Sequence, residues 1–436
     1  MRNWKRLARK VDAIDPVSVQ GLISKIVGLL IESAGPRSSV GELCLILTRD
    51  GREIPSEVVG FRGPTTLLMP LGELEGIAPG DRVIPRQQKL MVNTGPNLLG
   101  RILDGLGHPL DGRPLLTEGV YSLQNSPPNA FSRPAIKNIL NVGVRAIDGL
   151  ISIGQGQRIG IFAGSGVGKS TLLGMMARNT TADVNVIALV GERGRELGNF
   201  IEKDLGREGL DRSVIIVATS DQPALIRLKA AFTATAISEY FRDLGLNVLL
   251  MMDSVTRFAM AQREVGLTAG EPPATRGYPP SVFSLLPKLL ERSGMAAKGS
   301  ITGIYTVLVD GDDHNEPIAD AVRGILDGHI VLTRELAAKN HYPAIDILQS
   351  VSRVMGDVVA AEHLTLAKRV REHLAVYHEA KDLIDIGAYV QGSNPAIDAA
   401  IKKRPGIIRF LCQEINEKSG HDLMLEQLRS IFQEEN

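Results

Sequence analysis

The sequence predicts an α/β protein in three parts: a small N-terminal β-barrel, a large domain built on a parallel sheet, and a helical C-terminal domain. Three observations predict it. Short apolar runs separated by turn residues fill positions 17–88, strand candidates alternate with amphipathic stretches from about 89, and strand signals nearly vanish after about 360. At 436 residues the chain is long for one domain, and its 44% hydrophobic content can fill at least one large core.

Residues 1–16 place Trp4, Leu7, Val11 and Ile14 at helical spacing, with Arg2, Lys5, Arg6, Arg9 and Lys10 on much of the remaining surface. Pro16 ends that amphipathic helix. Such a helix fits a docked partner, an anionic membrane or packing on its own domain, and the residues leave these three open. Over 17–88 the runs GLISKIVGLLIE, ELCLILTRDG, SEVVGF, TTLLMPL and GDRVIP predict a small antiparallel barrel or sandwich. Barrels that bind single-stranded nucleic acid stack bases on aromatic side chains, and Phe61 is the one aromatic residue in this segment. Lys+Arg and Asp+Glu both total 49, so there is no basic excess to hold a polyanion either. No nucleic-acid partner is expected.

The third segment, 89–360, carries the strand candidates QRIGIFA, VNVIALV, SVIIVAT, NVLLMMD, SITGIYTVLV and HIVLT. Amphipathic stretches such as ALIRLKAAFTATAISEYFRDLG lie between them, which predicts a parallel sheet covered by helices. Residues 361–436, with HLTLAKRVREHLAVYHEAKDLI, read as helical. Cys44 and Cys412 share no metal-like spacing with histidines and read as two buried thiols. No apolar run approaches the ~20 residues that span a bilayer, and MRNWKRLARKVDAID has no hydrophobic signal core, so the chain is expected to be soluble and cytoplasmic.

The chemistry starts at Ala163, Gly164, Ser165, Gly166, Val167, Gly168, Lys169, Ser170 and Thr171, between a predicted strand and a predicted helix. That context makes a phosphate loop, with glycines letting backbone N–H groups converge on phosphates at a helix N-terminus. Lys169 is placed to reach the β- and γ-phosphates of ATP and Ser170 to ligate Mg²⁺. Ala163 departs from the strict pattern, which has glycine there. NVLLMMDS ends a buried strand in Asp253, the position of a second Mg²⁺-side carboxylate, although taken alone an aspartate here also fits a turn cap. VIALVGERGRE sets Glu192 past the end of the next strand, where a general base for water would face the nucleotide. Alone, Glu192 also fits a surface pair with Arg193 or Arg195. GQGQRIG reads as a turn, DGDDHNE as a polar loop, and His314, His329 and His341 as polar-loop or core histidines without metal-like spacing.

With the loop, LVGERGRE and LLMMDSVTRFAMAQRE together, the chain resembles the catalytic subunits of rotary ATPases and their hexameric relatives. GEPPATRGYPPSVFSLLPKLLERSG and VDGDDHNEPIADAVRGILDGHIVLTREL narrow this to the type III secretion ATPases, most closely the flagellar export branch. The resemblance implies a RecA-like nucleotide domain between the barrel and the helical domain, in a homohexamer. It implies that Arg193 stands beside the catalytic glutamate, that Tyr342 stacks on adenine, and that Arg353 is an arginine finger supplied to a neighbouring subunit. It further implies a coiled-coil stalk in the ring pore, export substrates and chaperones at the C-terminal end, a regulator on the N-terminal helix, and peripheral attachment to a membrane export gate.

Overall fold

The computed structural model describes residues 19–309 and 316–433. The basic N-terminal stripe, and positions 310–315 of the DGDDHNE stretch with His314, lie outside the described residues. The chain divides into two compact units. One runs to Leu90 and takes in Val265–Glu271; the other comprises Met91–Glu264 and the chain from Pro272 onward.

In the first unit six strands close into an antiparallel barrel: β1 (Gly21–Val27), β2 (Leu30–Ala34), β3 (Glu42–Leu47), β4 (Glu53–Arg62), β5 (Thr65–Pro70) and β6 (Arg82–Lys89), in the order β1-β2-β5-β4-β3-β6. Ile23, Ile31, Cys44, Ile46, Val58, Leu68 and Val83 fill its interior. Closure decides between barrel and sandwich, and it leaves no strand edge unpaired. Gly28 and Gly63 supply the left-handed φ that the tight β1–β2 and β4–β5 turns require.

In the second unit, β7 (Met91–Thr94) pairs with β9 (Gly119–Ser122), and β10 (Ile139–Leu140) pairs with β11 (Ile153–Gly154). The main sheet is formed by β8 (Arg101–Asp104), β12 (Arg158–Ala163), β13 (Val184–Glu192), β14 (Ser213–Thr219), β15 (Asn247–Asp253), β17 (Ser300–Leu308), β18 (Gly328–Leu332) and β19 (Ile345–Ser352). Their order is β19-β18-β12-β17-β15-β13-β14-β8, and β16 (Gly294–Met295) pairs with β17. The six strands expected from the sequence form its centre, buried on both faces as continuous apolar runs require.

Two edges differ from the expected parallel sheet. β8 is four residues long, too short to signal a strand, and pairs in parallel with β14. β19 runs antiparallel to β18, because the chain returns through the short helix Arg334–Ala338 without crossing the sheet. The C-terminal helices Ala361–Asp385, Pro395–Leu411 and His421–Gln433 do not build a separate core. Val370, Ile407, Phe410 and Met424 join one apolar cluster with Ile159 and Ile161 of β12 and with Ile147 and Leu150 of the helix Arg145–Leu150. Among the described residues no helix is long and apolar enough to cross a membrane.

Candidate active site

The parallel strands all point their carboxyl ends to one edge of the sheet, and three of them carry the chemistry. β12 runs into the loop Gly164–Gly168, and the helix Lys169–Asn179 follows at once. Val167 is buried in the core and anchors the loop, while Ser165, Gly166 and Ser170 are exposed. Gly166 and Gly168 have φ of 80° and 88°, a conformation that glycine adopts without strain. Gly168 caps the helix without a side-chain hydrogen bond, so the first-turn amides remain available to an anion.

β17 lies between β12 and β15, and β13 lies beyond β15, which sets Lys169, Asp253 and Glu192 along one line. Lys169 Nζ donates to Asp253 Oδ1 and lies 3.7 Å from Glu192 Oε1. Thr306, from the intervening strand, donates its hydroxyl to Asp253 Oδ1 at 2.6 Å. All three charged side chains are largely buried, with 12% of Lys169, 15% of Glu192 and 5% of Asp253 exposed. Burial pushes the Glu192 carboxyl above the usual range and the Asp253 charge adds to this; Lys169 and Arg257 pull the other way. A carboxylate with raised proton affinity, held beside a cation, is suited to accept a proton from water.

Tyr342 stands over the phosphate loop: a Cβ built on Gly168 would meet its ring at 3.5 Å. It borders a cavity of about 500 Å³ whose other walls include Thr171, Met175, Gln413 and Ile415. An aromatic face beside a phosphate loop, in a space of this size, suits a nucleotide base. Arg193 directly follows Glu192 but is exposed and pairs with Glu196 at 3.5 Å, outside the Lys169 cluster. Arg353 is not brought to this site within the chain. Its amide donates to Asp327 O at 3.0 Å, and Asp327 is paired with Arg158 at the start of β12. The loop leaves the other end of the same strand, roughly 20 Å away at the rise of a β-strand.

Three family models match the chain. They are the ATP synthase alpha/beta family β-barrel domain over residues 23–86, that family's nucleotide-binding domain over 143–352, and the T3SS EscN ATPase C-terminal domain over 359–430. The flagellum-specific ATP synthase of Bacillus subtilis is 56% identical, with 97% of each chain covered. The chain belongs to the flagellar and type III secretion ATPases. The type 3 secretion system ATPase of Xanthomonas euvesicatoria is 52% identical over 94% of this ATPase and 93% of its own length. The assembled ATPase EscN from enteropathogenic E. coli superposes with a TM-score of 0.90 at 48% identity, covering 94% of this chain and 99% of that one. The same protein in complex with its central stalk EscO gives 0.87.

Sequence reasoning missed three parts of this ATPase's site. Thr306 sits inside an apolar strand string and shows its partner only once β17 lies beside β15. Arg257, four residues after Asp253, packs its stem where a Cβ on Gly191 would lie 3.1 Å away, and its charge reaches Glu192. The available signal was a charged residue in the first turn of the helix Val255–Ala269, directly after the strand that ends in Asp253. The third is the segment Cys412–Ile415, whose Gln413 amide donates to Tyr342 O at 3.0 Å; nothing local marks it as a cavity wall. Of the cysteines, Cys44 is buried, whereas Cys412 is half-buried with its Sγ 3.4 Å from His341 Nδ1. His341 is a core histidine, and His329 contacts Gln349 O through Nε2.

Proposed function

We propose that the chain hydrolyses Mg²⁺-bound ATP as a homohexameric ring that energises or assists the export of flagellar proteins. The residues fit the metal: Ser170 offers an exposed hydroxyl, and Asp253 offers a hard carboxylate at the end of β15, one strand removed from β12. This pair suffices for an ion that shares its shell with phosphates and water. When bound, Mg²⁺ neutralises charge on the β- and γ-phosphates.

The chain's own groups do the rest. Glycine-loop amides and Lys169 orient the triphosphate, and Tyr342 holds the base. Glu192 takes a proton from water as the water oxygen bonds to the γ-phosphorus and the bond to the β-phosphate oxygen breaks, giving ADP and phosphate. Arg193 stands beside that base. Arg353 supplies positive charge to the γ-phosphate of a neighbouring subunit.

The observation that carries the ring is the placement of Arg353 at the opposite end of the sheet from Lys169. A chain that carries both groups at opposite ends is arranged for head-to-tail closure, each site being completed by a neighbour. The relative EscN, solved assembled and with its stalk EscO, supports the ring and a coiled-coil stalk in its pore. The same reading places the ATPase in the cytoplasm, attached peripherally to the membrane export gate. Export substrates and chaperones dock at its C-terminal end and a regulator binds residues 1–16.

Mixing tests the shared site. Lys169→Ala and Arg353→Ala chains, each inactive alone, regain part of the wild-type rate when combined in rings; confirmed mixed rings without activity contradict a finger acting in trans. Pull-down from the native cells separates flagellar from injectisome partners.

A further inference from the structure

A second cavity of about 620 Å³ adjoins the nucleotide cavity, framed by the helices Pro395–Leu411 and His421–Gln433 and by Arg145. Four of its lining residues are cationic, Arg145, Lys402, Lys403 and Arg409, and one, Glu417, is a carboxylate. Lys402 and Arg409 are exposed and stand two helical turns apart, hence on one face of their helix. The side-chain oxygen of Gln427, in the same lining, is buried and accepts no hydrogen bond. Converging cations in a concave space attract anions of matching size, and an unpaired buried acceptor is satisfied by a ligand hydroxyl.

Arg145 ties this cavity to the nucleotide site. Its guanidinium pairs with Glu417 and donates to the carbonyls of Cys412 and of Phe410, the latter at 3.1 Å. Its amide donates to Gln413 Oε1 at 2.8 Å, and Gln413 in turn holds Tyr342. Cys412 and Glu417 line both cavities.

We propose that the basic cavity is a regulatory site for a small phosphate-bearing anion, which draws Arg145 from Glu417, loosens the Cys412–Glu417 wall and weakens nucleotide binding. Binding at this site is independent of the export reading; the coupling rests on assigning the adjoining cavity to the nucleotide.

Tripolyphosphate is the probe, titrated calorimetrically into the full chain in Mg²⁺-free buffer. Lys169→Ala, whose phosphate loop no longer holds a triphosphate, still binds it at the basic cavity. The Lys402→Ala/Arg409→Ala variant binds it at least about tenfold more weakly while keeping its ADP affinity, which also reports an intact fold. Saturating probe lowers ADP affinity about fivefold more in wild type than in the Lys402→Ala/Arg409→Ala variant, where only competition at the phosphate loop remains, and by reciprocity ADP lowers probe affinity at the basic cavity by the same factor. Loss of probe binding in Lys169→Ala with retention in the double variant places the anion on the phosphate loop and overturns the site. Absence of binding to wild type does the same. An ADP affinity that the probe lowers equally in wild type and in the double variant overturns the coupling.

Discussion

The Lys169 ammonium is bonded to the Asp253 carboxylate, and Glu192 lies within 3.7 Å of the same cation, so one positive charge serves two largely buried acids. In the proposed mechanism, phosphate binding, metal coordination and proton transfer therefore share one electrostatic unit. A change at any of the three residues alters the other two.

Replacing Lys169 with alanine leaves Glu192 and Asp253 facing each other without their cation, in addition to removing the phosphate contact. Hydrolysis is lost and ATP binding weakens, measured by phosphate release and calorimetry. Glu192→Gln is nearly isosteric and separates the roles: kcat falls roughly 10²–10⁴-fold while nucleotide affinity stays close to wild type. A Glu192→Gln variant that keeps its kcat removes Glu192 from the proton transfer.

The pH profile follows from the raised Glu192 carboxyl, whose main cause is burial and whose second is the Asp253 charge. The base must be ionised, so activity rises with pH through a midpoint above the ordinary glutamate range of about 4.3. Below that midpoint the protonated carboxyl cannot take a proton. An acid limb in kcat/KM centred at the ordinary value contradicts this environment for Glu192.

Gly168→Ala tests the loop's backbone. A Cβ there makes ordinary contact with Tyr342, but φ of 88° is strained for any side chain. The strain is about 1–2 kcal/mol, and nucleotide affinity falls on the order of tenfold. Gly194→Ala is the control, since the added Cβ meets nothing within 4 Å and φ is not in the left-handed range. Its nucleotide affinity matches wild type.

Asp148 offers a stability measurement. It is fully buried and accepts the amides of Val142 and Gly143, yet burial outweighs these bonds and pushes its carboxyl up to about 7. The folded state favours the neutral form, so this contribution is fully present below about pH 4 and is lost as pH rises through about 7. Asp148→Asn stays neutral throughout and flattens the stability profile over that interval, at a cost of about 1–3 kcal/mol because one of the two backbone amides then faces the NH2 group and loses its acceptor. Urea unfolding at pH 5 and pH 8 reads both effects.

Much of this site was legible along the chain. The loop, the carboxylate at the end of NVLLMMD and the glutamate after VIALVG are each defined by a few consecutive residues. Their local order, strand then turn, already sets them at strand ends. Arg257 was within reach of the same reasoning, in the first turn of the helix that follows Asp253. Thr306 and the Gln413 contact to Tyr342 were not, because their meaning comes from partners 53 and 71 residues away.

The sequence by itself determined the barrel runs, the six central strands, the phosphate loop and the identity of the charged residues, because these depend on periodicity, glycine conformation and side-chain chemistry within short windows. Only the tertiary structure decided that β17 separates β12 from β15, that β19 returns antiparallel, that Cys412–Ile415 walls the cavity beside Tyr342 and that Arg353 stands at the far end of the sheet from Lys169. The reason is physical: strand order and burial are settled by which distant apolar faces pack together, and no local window of the chain contains that information.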